Sequence, residues 1–172
     1  MKRSGRTLKQ RLYGLKHLPS RLRRARYFRG HGVHSPFVYA IVRKVFMRSR
    51  LIEPSQHDLY DALCGIGVKN RRAIEIQNLA THCQYQSWSI DRNDHKCALM
   101  IATLHTSATL LASYAQCAHR NGATLCIVSP YDNAERWREC QRIIEAHTST
   151  SVDKRGYLLI FNNGLPLQRF RI

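Results

Sequence analysis

Acidic side chains are missing from the first 52 residues of this chain, a segment that carries fifteen of its 28 Lys and Arg. The other 120 residues hold thirteen basic residues against all 11 Asp and Glu, so nearly all of the formal charge of +17 lies at one end. Such one-sided charge argues against a purely solubilising role for the basic residues and points to an anionic partner: nucleic acid, a ribosome or, less favoured, an anionic membrane surface. No apolar run of 7–15 residues follows the basic start, which argues against a secretory signal, and no stretch approaches the ~20 residues of a membrane span. The six cysteines, at 64, 83, 97, 117, 126 and 140, form no C-x-x-C pair. Reduced thiols in a cytoplasmic protein are the reading this supports. Glycine is sparse, with 9 in 172 residues, and Gly65-Ile66-Gly67 is the lone G-x-G in the body of the chain. There is no internal repeat and no low-complexity tract.

What is present organises the chain into a basic helical arm, 1–34, and an α/β domain, 35–172. In the arm, Leu8, Leu12 and Leu15 recur at helical spacing among Arg and Lys, Pro19 interrupts, and Ser20 opens a second piece with Leu22, Ala25, Tyr27 and Phe28. Arg21, Arg23, Arg24, Arg26 and Arg29 are the candidate phosphate contacts, with Tyr13, Tyr27 and Phe28 available to stack on unpaired bases. A basic amphipathic segment also suits an anionic lipid surface or an organellar presequence.

Ser35-Pro36 is a helix start, since the hydroxyl accepts an unpaired N–H and proline has none to leave unpaired. Phe37, Val38, Ile41, Val42, Val45 and Phe46 form the apolar side of that helix, with Tyr39 a further core candidate; Arg43, Lys44 and Arg48 face outward. Helices are predicted over 55–63 and 70–82, over 96–104 and 108–119 as one long helix or two shorter ones parted around Thr106 and Ser107, and over 133–146, the last with Trp137, Cys140, Ile143 and Ile144 inward. Strands are predicted at 87–90 and 123–128, then at 157–161 and 167–172 joined as a hairpin through Asn162-Asn163-Gly164. Helices alternating with strands imply a three-layer α/β sheet.

The string Arg29-Gly30-His31-Gly32-Val33-His34-Ser35-Pro36-Phe37-Val38-Tyr39 resembles the opening of a bacterial family of class I S-adenosylmethionine-dependent methyltransferase-like proteins, marked by His-Gly-Val/Ile-His-Ser-Pro-Phe. Residues 127–131 and 134–137 are similar to that family's late strand and helix, and 150–153 with 156–161 to its last two strands. The resemblance implies a Rossmann-like, methyltransferase-like sheet with a C-terminal β-hairpin, and S-adenosylmethionine as the possible cofactor. His31, Gly32, His34, Ser35 and Pro36 carry the family signature.

Such proteins hold the cofactor on an acidic-Gly-x-Gly turn after the first strand, where the backbone must approach closely. Gly65-Ile66-Gly67 follows helical text instead, and Ile90-Asp91-Arg92-Asn93-Asp94-His95 contains no glycine. Ile90-Asp91 matches either the end of the cofactor strand or, with Asp91, Asn93 and His95 in register, a later Ile-Asp-Gly-Asn-His segment. Those three residues are the candidate cofactor contacts, in a polar strand-to-helix turn. The second match implies a truncated sheet.

A helix cap is the competing role for Asp91 to His95, and fixing the helix start the competing role for His31 and His34. His82, Cys83, His95 and Cys97 lack the paired short spacings of a zinc site, so no metal is expected. Ser129 and Asp132 are read as turn residues around Pro130. Three functions remain open: a divergent methyltransferase-like protein without an intact cofactor site, kept as an interaction module; an active methyltransferase with an atypical pocket; and a nucleic-acid- or ribosome-associated binding protein.

Overall fold

The computed structural model describes residues 33–52 and 57–172. The two basic pieces of the arm, the five candidate arginines, His31 and Gly32 lie outside them. Among the described residues the fold is mixed α/β, with five α-helices on a six-stranded sheet.

Helix α1 (Pro36–Ile41) starts as the sequence predicts, with Ser35 Oγ accepting from Val38 N at 3.4 Å and Pro36 in the first turn. It continues as one π-helical segment, Val42–Phe46. Val38, Ile41, Val42, Val45 and Phe46 are buried, and Phe37 sets its ring edge-on against Phe161 at 5.0 Å. Tyr39, expected in the core, is exposed.

Helices α2 (Asp58–Gly65) and α3 (Asn70–His82) complete this side. Their apolar residues, with those of α1, cover the sheet face made by Leu99, Ile101, Cys126, Val128, Val152, Tyr157, Leu159 and Phe161. Helices α4 (Leu111–Asn121) and α5 (Ala134–Ala146) cover the opposite face, where Met100, Ala102, Leu125, Ile127, Leu158 and Ile160 meet Leu111, Tyr114, Cys117, Cys140 and Ile143. Three layers result. A strand apolar on both faces, such as Thr124–Val128, is the sequence counterpart of that double cover.

The strands are β1 (Trp88–Ile90), β2 (Leu99–Ala102), β3 (Thr124–Val128), β4 (Ser151–Lys154), β5 (Tyr157–Ile160) and β6 (Arg169–Arg171), in the order β1-β2-β3-β5-β4-β6. The β1–β2, β2–β3 and β4–β6 pairs are parallel, and β5 runs antiparallel to both its neighbours.

Two expectations need correction. The predicted helix over 96–104 is in fact a turn followed by β2. Leu99-Met100-Ile101-Ala102 is a four-residue run buried on both sides, which periodicity cannot tell from a helix. The eight residues 91–98 therefore join two parallel strands without a helix, which the three-residue length of β1 permits because the chain has only about 10 Å to climb back. The hairpin at Asn162-Asn163-Gly164 does not form either: β6 pairs with β4, and the tight turn is at Arg155-Gly156, between β4 and β5. Ser149 Oγ and Thr150 Oγ1 donate to the carbonyls of Leu165 and Pro166 at 2.8 Å, which steers the last segment past β5 to the far side of β4.

His147 leaves α5 and makes a 2.9 Å bond from Nε2 to the Phe161 carbonyl. Burial holds its pKa below the ordinary histidine value of 6.5, outweighing the neighbouring carbonyls. The unfolded chain thus takes up a proton near pH 6.5 that the folded chain refuses, so stability is full above that pH and falls as pH drops below it. His82, lowered by burial and Lys44, acts in the same sense. Urea denaturation at pH 7.5 and 5.5 is expected to give a lower midpoint at the acid pH. His147→Gln, which retains a donor for Phe161, is expected to shrink the difference.

Candidate functional site

The register places the carboxyl ends of β1, β2, β3 and β4 along one edge: Ile90 beside Ile101, Ala102 beside Ile127, and Val128 beside Tyr157, itself beside Lys154. In open α/β sheets this is the edge at which ligands bind. Here its polar groups are turned on one another.

Asp91, directly after β1, adopts φ 51°, a left-handed conformation that costs a non-glycine residue about 1–2 kcal/mol. Its carboxylate offsets that cost. Oδ1 accepts from Thr103 N at 2.7 Å and Thr106 Oγ1 at 2.5 Å, and Oδ2 accepts from Thr103 Oγ1 at 2.5 Å. Charge-assisted bonds of this kind are roughly twice as strong as neutral ones. They tie the end of β1 to the turn that follows β2.

Arg136 occupies the space beside that turn. It is 2% exposed; Nη1 donates to Thr106 O at 2.8 Å, and Nη2 reaches Thr103 O at 2.8 Å, Val128 O at 3.1 Å and Ala102 O at 3.3 Å. Nε has no partner. Burial lowers the guanidinium pKa, opposed by Cys140, Asp132 and Asp91. One side chain from α5 thus closes the carbonyl ends of both β2 and β3. Its sequence signal is position: Arg136 shares a helical face with Cys140 and Ile143, at i, i+4 and i+7, so a charge falls on the buried stripe.

The end of β3 is closed from the other layer. Ser129 has φ 53°, its N–H donates to Gly156 O at 2.8 Å, and Arg72 Nη1 donates to its hydroxyl at 2.6 Å. A Cβ on Gly156 would stand 2.6 Å from Arg72 Nε, so the bare glycine leaves room for the Arg72 side chain in this position. Tyr131 stacks on Trp137 at 4.2 Å and donates to Asp153 Oδ2.

Beside these groups, Glu75 receives Arg71 Nε at 2.7 Å, Lys154 Nζ at 2.6 Å and the Tyr157 hydroxyl at 3.1 Å. Arg71 Nη2 also takes the Phe46 carbonyl at the end of the π-helical segment, at 3.1 Å. Burial lowers the Lys154 pKa, against the pull of Glu75, and raises that of Tyr157. None of Arg72, Glu75, Arg136 or Lys154 stood out in the sequence, because each sits inside otherwise ordinary amphipathic text.

The residues predicted to hold a cofactor do not converge. Asp91 turns toward β2, whereas Asn93 Nδ2 meets Ser113 Oγ at 3.5 Å and His95 Nδ1 meets Cys117 Sγ at 3.3 Å, one turn further along α4. The expected strand-to-helix turn at 91–95 is instead the helix-free link to β2, and the turn leading into α4 begins at Thr103. Gly65 is the last residue of α2 and Gly67 follows it, and a Cβ at either would meet nothing within 4 Å, so no close backbone approach requires them. Of the family signature, His34 is exposed, while Ser35 and Pro36 form the start of α1.

Among the described residues no three His, Cys, Asp or Glu side chains group as metal ligands, and no helix is long and apolar enough to cross a membrane. A groove of about 640 Å³ runs between α4 and α5, lined by Ala112, Gln116, His119, Glu139, Arg142 and Ile143 among others, with none of the predicted contacts in its wall. Compared with protein-family models, curated proteins and solved structures, the chain matches none.

If Asp91 and Arg136 lock the strand ends, their loss must register as stability. Arg136→Met is expected to lower the unfolding free energy by about 3 kcal/mol, since it strands buried carbonyls. Asp91→Asn, which tolerates the left-handed backbone but gives up the charge, is expected to cost about 1–2 kcal/mol. Urea titration measures both; losses under about 0.5 kcal/mol would show that the edge is held by other contacts.

Proposed function

We propose that this chain is a divergent, methyltransferase-like α/β protein that has lost a working S-adenosylmethionine site and serves as a binding module for an anionic polymer, nucleic acid foremost. The observation that carries the first half is the closed carboxyl edge. Arg136 holds the carbonyls of Ala102, Thr103, Thr106 and Val128, and both Asp91 oxygens are bonded to threonines. A bound nucleoside needs bare main chain and a free acid at such an edge. In this reading the Rossmann-like character survives as scaffold, and Asp91, Asn93 and His95 serve the loop rather than a cofactor.

The second half rests on charge. Fifteen basic residues without one acid, in the first 52, provide the electrostatic capture that phosphate backbones select. RNA or DNA fits better than lipid because aromatic residues are threaded among Arg21, Arg23, Arg24, Arg26 and Arg29. In this reading the protein works in the cytoplasm, where its six free thiols stay reduced.

Two measurements test the proposal. Calorimetry with S-adenosylmethionine is expected to show no binding at micromolar ligand, and robust micromolar affinity would restore the methyltransferase reading. Fluorescence anisotropy with a single-stranded oligonucleotide is expected to show steep salt dependence. Replacing the five arginines together by glutamine is expected to flatten the log–log slope by about 0.7 for each phosphate contact removed. A slope unchanged by the substitutions would refute capture by these residues.

A further inference from the structure

Tyr39, expected in the core, stands 46% exposed on α1. Arg43 is its neighbour one turn further along, and Lys44, Met47, Arg48 and Arg50 are exposed along and beyond the π-helical segment. Residues 33–52 hold four Lys and Arg and no Asp or Glu. None of the four cations enters an ion pair among the described residues; Arg43 Nη1 meets Met47 Sδ at 3.5 Å.

The backbone beneath this face is fixed. Ser35 caps the helix, Val38, Ile41, Val42 and Val45 are buried, and Arg71 Nη2 holds the Phe46 carbonyl where the π-helical segment ends. A tyrosine on such a support offers a rigid ring whose ordering costs little conformational entropy. A single exposed apolar residue is ordinary on a protein surface. A ring set among cations that have no acid partner is a different surface, because the cations can take phosphates while the ring takes an unpaired base.

We infer that Tyr39, Arg43, Lys44, Arg48 and Arg50 form a contact for single-stranded nucleic acid on the α/β body, with Tyr39 stacked on one base. The inference rests on the nucleic-acid reading of the basic arm and extends it to a defined surface. Arg29 stands six residues before Ser35, so at most about 20 Å of chain separates the arm's arginines from this face. A duplex fits less well, since its bases are already stacked on one another and offer the ring no free face. An anionic membrane also fits less well. Lipid binding needs an apolar helix face turned outward, and here Val38, Ile41, Val42, Val45 and Phe46 are packed on the sheet.

The test uses the full chain, fluorescence anisotropy with a single-stranded oligonucleotide and with a duplex of the same sequence, and co-sedimentation with phosphatidylglycerol vesicles. Tyr39→Ala is expected to weaken single-strand binding about tenfold at an unchanged salt slope, and duplex binding less than about twofold. Tyr39→Phe keeps the ring and is expected to keep the affinity. Replacing Arg43, Lys44, Arg48 and Arg50 together by glutamine is expected to flatten the log–log salt slope by about 0.7 for each phosphate contact removed. If Tyr39→Ala fails to fold, Tyr39→Leu, which keeps bulk without a ring, decides.

No oligonucleotide binding by the full chain would overturn the nucleic-acid reading and this contact with it. Binding that survives Tyr39→Ala and the glutamine set undiminished, yet falls when the five arm arginines are replaced, overturns this contact alone. Equal losses on single strand and duplex with Tyr39→Ala would remove the stacking role. Vesicle binding that exceeds oligonucleotide binding, and that the same substitutions abolish, would assign the face to lipid instead.

Discussion

A guanidinium without a carboxylate bonded to it governs this structure. Arg136 is buried, and it is kept there by the carbonyl dipoles that parallel strands leave unsatisfied at their carboxyl ends. Parallel strands accumulate such carbonyls on one edge, and a ligand, a helix N-terminus, water or a side chain has to meet them. Here a side chain does. Asp91 completes the arrangement by drawing in the threonines of the same turn, at the expense of a left-handed backbone. The proposed loss of a cofactor site rests on this edge.

The same edge explains how the two layers communicate. From the α3 side Arg72 crosses over Gly156 to Ser129, and Glu75 collects Lys154 and Tyr157; from the α5 side Arg136 reaches β2 and β3. Buried ionic groups stabilise little compared with apolar residues of the same shape, but removing one partner of such a set is costly. Their effect is to fix how α3 and α5 sit on the sheet. A ligand entering from the carboxyl edge would have to displace charged groups already paired within the protein, which is a more demanding requirement than filling an apolar cavity.

The chain's charge is separated from that machinery. Basic residues accumulate where no acid balances them, while the α/β body keeps its own charges nearly matched and uses several of them internally. Electrostatic capture of a polymer does not need a cleft, only density of like charge. A scaffold whose ligand edge is closed is therefore compatible with a binding function carried elsewhere on the chain.

Local chemistry made much of the architecture legible. Ser35-Pro36 announces its helix because hydroxyl and imino ring act within one turn, and 124–128 reads as a doubly covered strand from its unbroken apolar run. Three-layer α/β order follows from such alternation alone. The misreadings came where local signals were equivocal or outvoted. Leu99–Ala102 is too short to show a period, and Asn162-Asn163-Gly164 has hairpin text but lost to the pairing of β6 with β4. The lock at the carboxyl edge was beyond local reading, since Asp91, Thr106 and Arg136 meet only after three elements have packed. Sequence by itself determined which segments could bury apolar faces and where the charge would lie, because both depend on near neighbours along the chain. Tertiary structure alone decided that Arg136 and Asp91 meet the groups at the carboxyl ends of β1, β2 and β3, because that outcome depends on which strand ends are brought side by side.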